Sequence, residues 1–288
     1  MLAVAFGILS GALFGIFTLA VRSGLARGAD PEAGALVITG IGFIVGALLA
    51  LPELAGGAGI SDLWPFFAVG AVVPGVSQIL FIMAVRDAGP ARAAILIGTA
   101  PLISVVIALL VLDEPFRPPL LAGTALIVAG GAILARERSR PEHFRALGAG
   151  LALGCAALFA VRDNAVRVVA RDVDAPALAA SAASLLAASS VVLLYLLVVR
   201  RRGLPAKLRI ALPAFTRAGI MLGVAYACLV QGFDHGRVSV VAPLNATQSL
   251  WAVLLAAILI GRSEQIGRRT VLSGLLVLAG SALISVLR

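Results

Sequence analysis

Charge is scarce in this chain: 13% of its 288 residues are Asp, Glu, Lys or Arg. The mean hydropathy is +1.08 and 61% of residues are hydrophobic, against the roughly one half of a water-soluble domain. Such a chain cannot be a soluble domain and is expected to be a multi-span membrane protein. Cysteine is nearly absent. Cys155 and Cys228 both fall inside apolar runs, which excludes a disulfide framework or a cysteine metal site. Histidine is limited to His143 and His235, both in predicted loops, so helix-borne zinc or haem ligation has no residues to use. No P-loop is present, which removes direct use of ATP within this chain. Cofactors and metals are therefore expected to be absent. The net charge of +9 falls in short loops between apolar segments, neither on a stripe nor interleaved with aromatics, so nucleic acid is not the expected partner.

Ten apolar segments fill the length: roughly 2–21, 33–51, 63–85, 91–112, 118–135, 147–169, 175–199, 213–233, 238–260 and 268–287. Each approaches the ~20 residues a transmembrane helix requires. Met1 to Val21 has no basic n-region and no clear small-residue cleavage site, so it is expected to remain as the first span. Breakers mark the connections: Asp30-Pro31, Gly56-Gly57-Ala58-Gly59, Gly89-Pro90, Pro118-Pro119, Asp174-Ala175-Pro176 and Gly203-Leu204-Pro205.

The chain also repeats itself. Asp87-Ala88-Gly89 leads into the fourth segment as Asp234-His235-Gly236 leads into the ninth, and Leu13-Phe14-Gly15 echoes in Leu158-Phe159-Ala160. The polar stretch 136–145 stands where a five-plus-five repeat needs its linker. Two units follow, 1–138 and 147–288, joined by 139–146. With five crossings each, the second must enter from the opposite face. The expected fold is thus an all-α membrane protein of ten transmembrane helices, arranged as two inverted five-helix repeats around a central cavity.

Charge in the loops predicts the orientation. Sixteen Lys and Arg residues fall on one side, including Arg22, Arg27, Arg86, Arg136, Arg145, Arg200 and Lys207; five fall on the other, Arg117, Arg167, Arg171, Arg237 and Arg288. Retention of positive charge in the cytoplasm puts both termini in the periplasm.

Polar groups within apolar spans need protein, water or a ligand beside them. In the ninth segment Asn245, Gln248 and Trp251 are spaced i, i+3, i+6 and share one broad face. Amides can bond ionised groups and an indole can stack on an aromatic, so this face is read as a cavity wall, with interhelical packing the competing reading. Arg162, Asp163 and Asn164 lie inside the sixth segment. Either Asp163 pairs with Arg167 one turn on while Arg162 reaches outward, or the cluster faces the cavity and meets a charged group of the substrate. Gln78, Phe81, Thr99, Phe14, Thr18 and Tyr226 are further candidates. The sets Gly7/Gly11/Gly15 and Gly150/Gly154 most simply allow close helix packing.

Phe14-Gly15 in the first span, Ala84-Val85 before a short turn, Pro101 in the fourth span, Asp113-Glu114-Pro115 at its end and the Gly-rich fifth and tenth spans together resemble the EamA family of drug/metabolite transporters. The chain differs in carrying Phe14 where members usually have Trp. The resemblance implies a basket-like cavity within ten helices, a bacterial inner-membrane location and export of small metabolites, with amino-acid exporters most similar in layout. The expectation is a non-enzymatic, monomeric secondary transporter for neutral or aromatic amino acids, working by alternating access. Alternatives are efflux of organic cations or nucleosides and, in another class, a membrane enzyme acting on a lipid-linked substrate.

Overall fold

The structure is a computed structural model describing residues 1–55, 60–100, 102–103, 106–107, 118–135, 145–169, 175–199, 202–235, 241, 244–245, 247–259 and 267–287. Among these, all regular structure is helical. Ten segments follow in order: α1 (Leu2–Ala26), α2 (Pro31–Ala55), α3 (Trp64–Ala88), α4 (Pro90–Ile97), α5 (Pro118–Ala135), α6 (Ala146–Val169), α7 (Ala177–Val199), α8 (Leu204–His235), α9 (Gln248–Leu259) and α10 (Arg268–Leu287). Five of them, α1, α2, α3, α7 and α8, are long and apolar enough within the described residues to cross a membrane. Their outer faces stay apolar: Ile44, Leu48 and Leu51 of α2 follow at i, i+4 and i+7 and are all more than half exposed. Such a stripe suits lipid, where it costs nothing to leave it uncovered.

Helix starts follow local chemistry. Asp30 Oδ1 accepts the Ala33 N–H at 2.9 Å, capping α2 as its first turn begins on Pro31. Gly89, at φ +83°, makes the tight turn from α3 into Pro90 of α4. Two expectations need correction. The eighth span does not begin near residue 213; α8 starts at Leu204, straight after Gly203 with φ +70°. Pro205 does not break the chain here, because proline fits a helix's first turn, where its missing N–H has no intrahelical role. Lys207 and Arg209 therefore stand on helix, and Lys207 Nζ reaches Asp30 at 2.9 Å. The third span also departs from a continuous helix. Pro74 sits inside it, the turns widen over Ala71–Val76, and Val73 takes a non-helical φ of −136°, because proline removes a donor and crowds the preceding turn.

The two halves interlock. Across them α1 packs on α8 and α9, α2 on α8, α3 on α6 and α7, and α4 on α6, while α2–α7, α4–α9 and α5–α10 pack as equivalent pairs. Exchanging the halves maps this set of contacts onto itself. Side chains show the inversion directly. Glu32 near the start of α2 accepts a hydrogen bond from the Tyr195 hydroxyl near the end of α7 (3.1 Å), and Glu53 near the end of α2 accepts from the Ala179 N–H at the start of α7 (2.9 Å). Equivalent helices thus run in opposite directions. The α5–α10 pair does the same: Ser273 Oγ donates to Gly130 O at 2.6 Å, and Gly280 abuts Gly123. The linker residues 136–144 lie outside the described residues.

Small residues set the helix spacing. Gly7, Gly11 and Gly15 form one face of α1, and an added methyl there would press on Leu244, Thr247 and Trp251 in turn. Gly42 of α2 meets Gly219 and Gly223 of α8, and Gly70 of α3 lies against Ser184 of α7. Helices in lipid gain association from dispersion and close backbone approach, so glycine at each crossing is the local requirement. Gly150 has open space beside it and Gly154 only Leu80 nearby, so the second-half glycine pair does not repeat the role of the first.

Candidate functional site

Five helices leave a cavity of about 480 Å³ between them, mouth included. Its wall is built from repeat-equivalent elements: Phe14 and Phe17 of α1 oppose Phe159 and Arg162 of α6, and Val73, Pro74, Ser77, Gln78 and Phe81 of α3 oppose Leu222 and Tyr226 of α8; Asn245 and Gln248 complete it. The echo between Leu13-Phe14-Gly15 and Leu158-Phe159-Ala160 thereby places an aromatic from each half on one cavity.

One side of the wall is aromatic. Phe17 and Phe81 stack with centroids 5.0 Å apart and planes 19° from parallel, and Phe14 stands edge-on to Phe17 at 6.3 Å. On α6 the Arg162 guanidinium lies 5.0 Å from the centre of the Phe159 ring, a cation–π contact that holds the charge against an apolar surface. Arg162 is the one formally charged residue among the described residues that line the cavity.

The polar groups are held from several directions. Ser10 Oγ shares its hydrogen bond between Ala225 O and Asn245 Oδ1, each at 3.0 Å, which ties α1 to α8 and to the approach of α9. At the distorted stretch of α3 the Tyr226 hydroxyl donates to the Val73 carbonyl at 3.4 Å. Gln78 differs from these. It is 3% exposed, lines the cavity, and its Nε2 meets no acceptor among the described residues. A buried amide without a partner is costly, and its persistence in a cavity wall points to a ligand.

The expected site residues divide accordingly. Phe14, Gln78, Phe81, Arg162, Tyr226, Asn245 and Gln248 come together on the cavity. Thr18 and Thr99 do not line it: their hydroxyls donate back along their own helices, to Phe14 O at 2.9 Å and Leu96 O at 2.6 Å. Trp251 does not line it either, and its Cβ packs on Gly15 of α1. At 3.6 residues per turn, position i+6 stands about 120° from position i, so Trp251 falls at the edge of the Asn245–Gln248 face and turns into the α1 contact. Side chains of Asp163 and Asn164 lie outside the described residues. Phe17, Val73, Pro74, Ser77 and Leu222 had not been singled out. The signal available for three of them was Val73-Pro74 amid an apolar run followed by Ser77, since broken helices line the sites of transporters.

Asp87, one acid open to an enzymatic reading, is held by two guanidinium nitrogens of Arg86, Nε and Nη2, at 2.6 and 2.8 Å; Asp113 and Glu114 lie outside the described residues. Among the described residues no cluster of three metal-ligating side chains occurs.

The model of the EamA-like transporter family matches residues 1–136 and again 146–286. The chain belongs to that family. It is therefore a membrane transporter of the drug/metabolite type, built from two copies of the family's unit. The fold of this EamA-like transporter is shared with a crystal structure of a protein 23% identical to it, with a TM-score of 0.67 over 99% of this chain and 96% of that one. Among curated proteins, none matches it in sequence.

Proposed function

We propose that this transporter exports neutral and aromatic amino acids by alternating access, its inverted halves rocking about the cavity. The observation that carries this reading is the composition of the wall: three carboxamides, stacked phenylalanines and one cation at the meeting line of the repeats. Carboxamides can satisfy the ionised head of an amino acid without dictating its side chain, and phenylalanine rings favour an apolar or aromatic one.

The same reading places the chain in a bacterial inner membrane as a monomer, its family units meeting at a linker over 139–146. Loops carrying sixteen of the Lys and Arg residues face the cytoplasm and both termini face the periplasm. Contacts at one end agree with this. Arg145 donates its backbone N–H to Asp87 O at 2.7 Å, and Lys207 pairs with Asp30, so connections predicted on the same side meet.

Uptake of radiolabelled phenylalanine, threonine and lysine into proteoliposomes tests the proposal. Phenylalanine and threonine should enter saturably and lysine poorly, and Gln248→Ala and Phe81→Ala should each weaken phenylalanine uptake by about ten-fold, the worth of one good polar or aromatic contact. A well-folded protein that carries none of the three would end the amino-acid reading and move attention to organic cations or nucleosides.

A further inference from the structure

The head-group preference of the cavity follows from its hydrogen-bonding inventory. In the distorted stretch of α3 around Pro74, the Val73 carbonyl is a backbone acceptor of the kind that a substrate ammonium would seek. Here the Tyr226 hydroxyl already donates to that oxygen. No Asp or Glu stands among the described residues lining the cavity, whereas Arg162 brings a guanidinium. In the same lining, Gln78 carries a buried amide nitrogen with no acceptor among the described residues. An amide nitrogen only donates. At Gln78 the wall therefore needs an acceptor from a ligand, and the one formally charged residue of the described lining, Arg162, is positive.

The stacked Phe17 and Phe81 rings fix where the rest of the molecule lies. Phe81 is one helical turn from Gln78 on α3, so a ligand bonded to Gln78 has its apolar part beside Phe81, within a flat aromatic surface. A carboxylate attached to an aromatic or apolar body satisfies both.

We propose that the cavity recognises the carboxylate of its substrate and dispenses with the ammonium, with Gln78 as the specificity-determining donor. Aromatic monocarboxylates lacking an amino group are then ligands, and amines lacking a carboxylate are not. The inference rests on the reading of this cavity as the solute site, and deepens it by naming which half of a zwitterion is read.

Three probes separate the groups: L-phenylalanine, 3-phenylpropionate, which keeps only the carboxylate, and 2-phenylethylamine, which keeps only the ammonium. Their affinities for the purified full-length protein in detergent are measured by calorimetry. 3-Phenylpropionate should bind within about three-fold of phenylalanine, and 2-phenylethylamine at least about ten-fold more weakly, the worth of one charge-assisted hydrogen bond. Gln78→Leu should weaken both carboxylates by about ten-fold and leave the amine unchanged, while raising the melting temperature of the ligand-free protein because it removes an unpaired buried amide. Gln78→Glu should reverse the order, repelling the carboxylates and admitting the amine.

Amine binding equal to that of phenylalanine, or a Gln78→Leu effect equal on all three, would overturn the inference. Failure of the amino-acid reading looks different: 3-phenylpropionate binds and answers to Gln78, yet phenylalanine is not transported. If phenylalanine is transported and the amine competes while the carboxylate does not, the reading survives and this inference falls. Binding of none of the three ends both.

Discussion

Individual residues here act through what they lack as much as through what they touch. Asn245 and Tyr226 reach Ser10 and Val73; Gln78, also within an apolar span, has no acceptor for its nitrogen among the described residues. Nothing in the residue types distinguishes these cases, because partnership depends on neighbours from other helices. Asp30 shows the opposite outcome at the membrane edge. Burial alone would raise its pKa, but the Ala33 N–H and the Lys207 ammonium together outweigh that and hold the carboxyl below its ordinary value of 3.8. A lowered folded-state pKa adds stability above the unfolded value, lost as pH falls through the folded one. Asp30→Asn keeps an oxygen to cap α2 but removes the charge. Wild type should therefore melt higher than Asp30→Asn at pH 6, and the gap should close steadily below pH 4. A gap unchanged down to pH 3, measured by thermal denaturation in detergent, would show that the charge of Asp30 has no such role.

At the scale of elements, helix existence was legible and helix shape was not. The ~20-residue hydrophobic length is a local property, and each predicted span has a helical counterpart among the described residues. Shape depends on breakers, whose meaning changes with position. Pro205 begins α8, Pro52 and Pro213 are carried inside intact helices, and Pro74 splits α3. Crossings depend on glycine, and the sequence pattern marked Gly7, Gly11 and Gly15 without naming their partner. Overpacking such a contact forces backbone shifts costing about 1–3 kcal/mol. At Gly280 an added methyl would lie 2.5 Å from Gly123 O. Gly280→Leu should therefore lower the melting temperature by several degrees, while the affinity for bound solute stays unchanged because α5 and α10 do not line the cavity. An unaltered melting temperature would show that the pair tolerates separation.

For the whole molecule, inversion was legible from arithmetic: five crossings per half reverse the second half's entry. The antiparallel α2–α7 and α5–α10 pairs match that expectation. Orientation in the bilayer is open to cysteine labelling, because both native cysteines are buried. With an impermeant maleimide applied to intact cells, a cysteine at Asp62 should label readily, whereas one at Lys207 should label only after permeabilisation. The reverse pattern would place the termini in the cytoplasm.

By itself the sequence determined a polytopic helical membrane protein, its ten segments, its internal repeat and the family it resembles. All of these depend on hydrophobic length, loop charge and self-similarity, which are written along the chain. Only the tertiary structure decided which polar groups share a cavity. Helix rotation and depth arise from packing between segments far apart in sequence, at contacts such as Gly15 on Trp251 and Ser10 on Asn245. Those contacts turned Trp251, Thr18 and Thr99 away and brought Gln78, Phe17 and Phe159 in, for the physical reason that a helix face has no direction until a neighbour covers the other side.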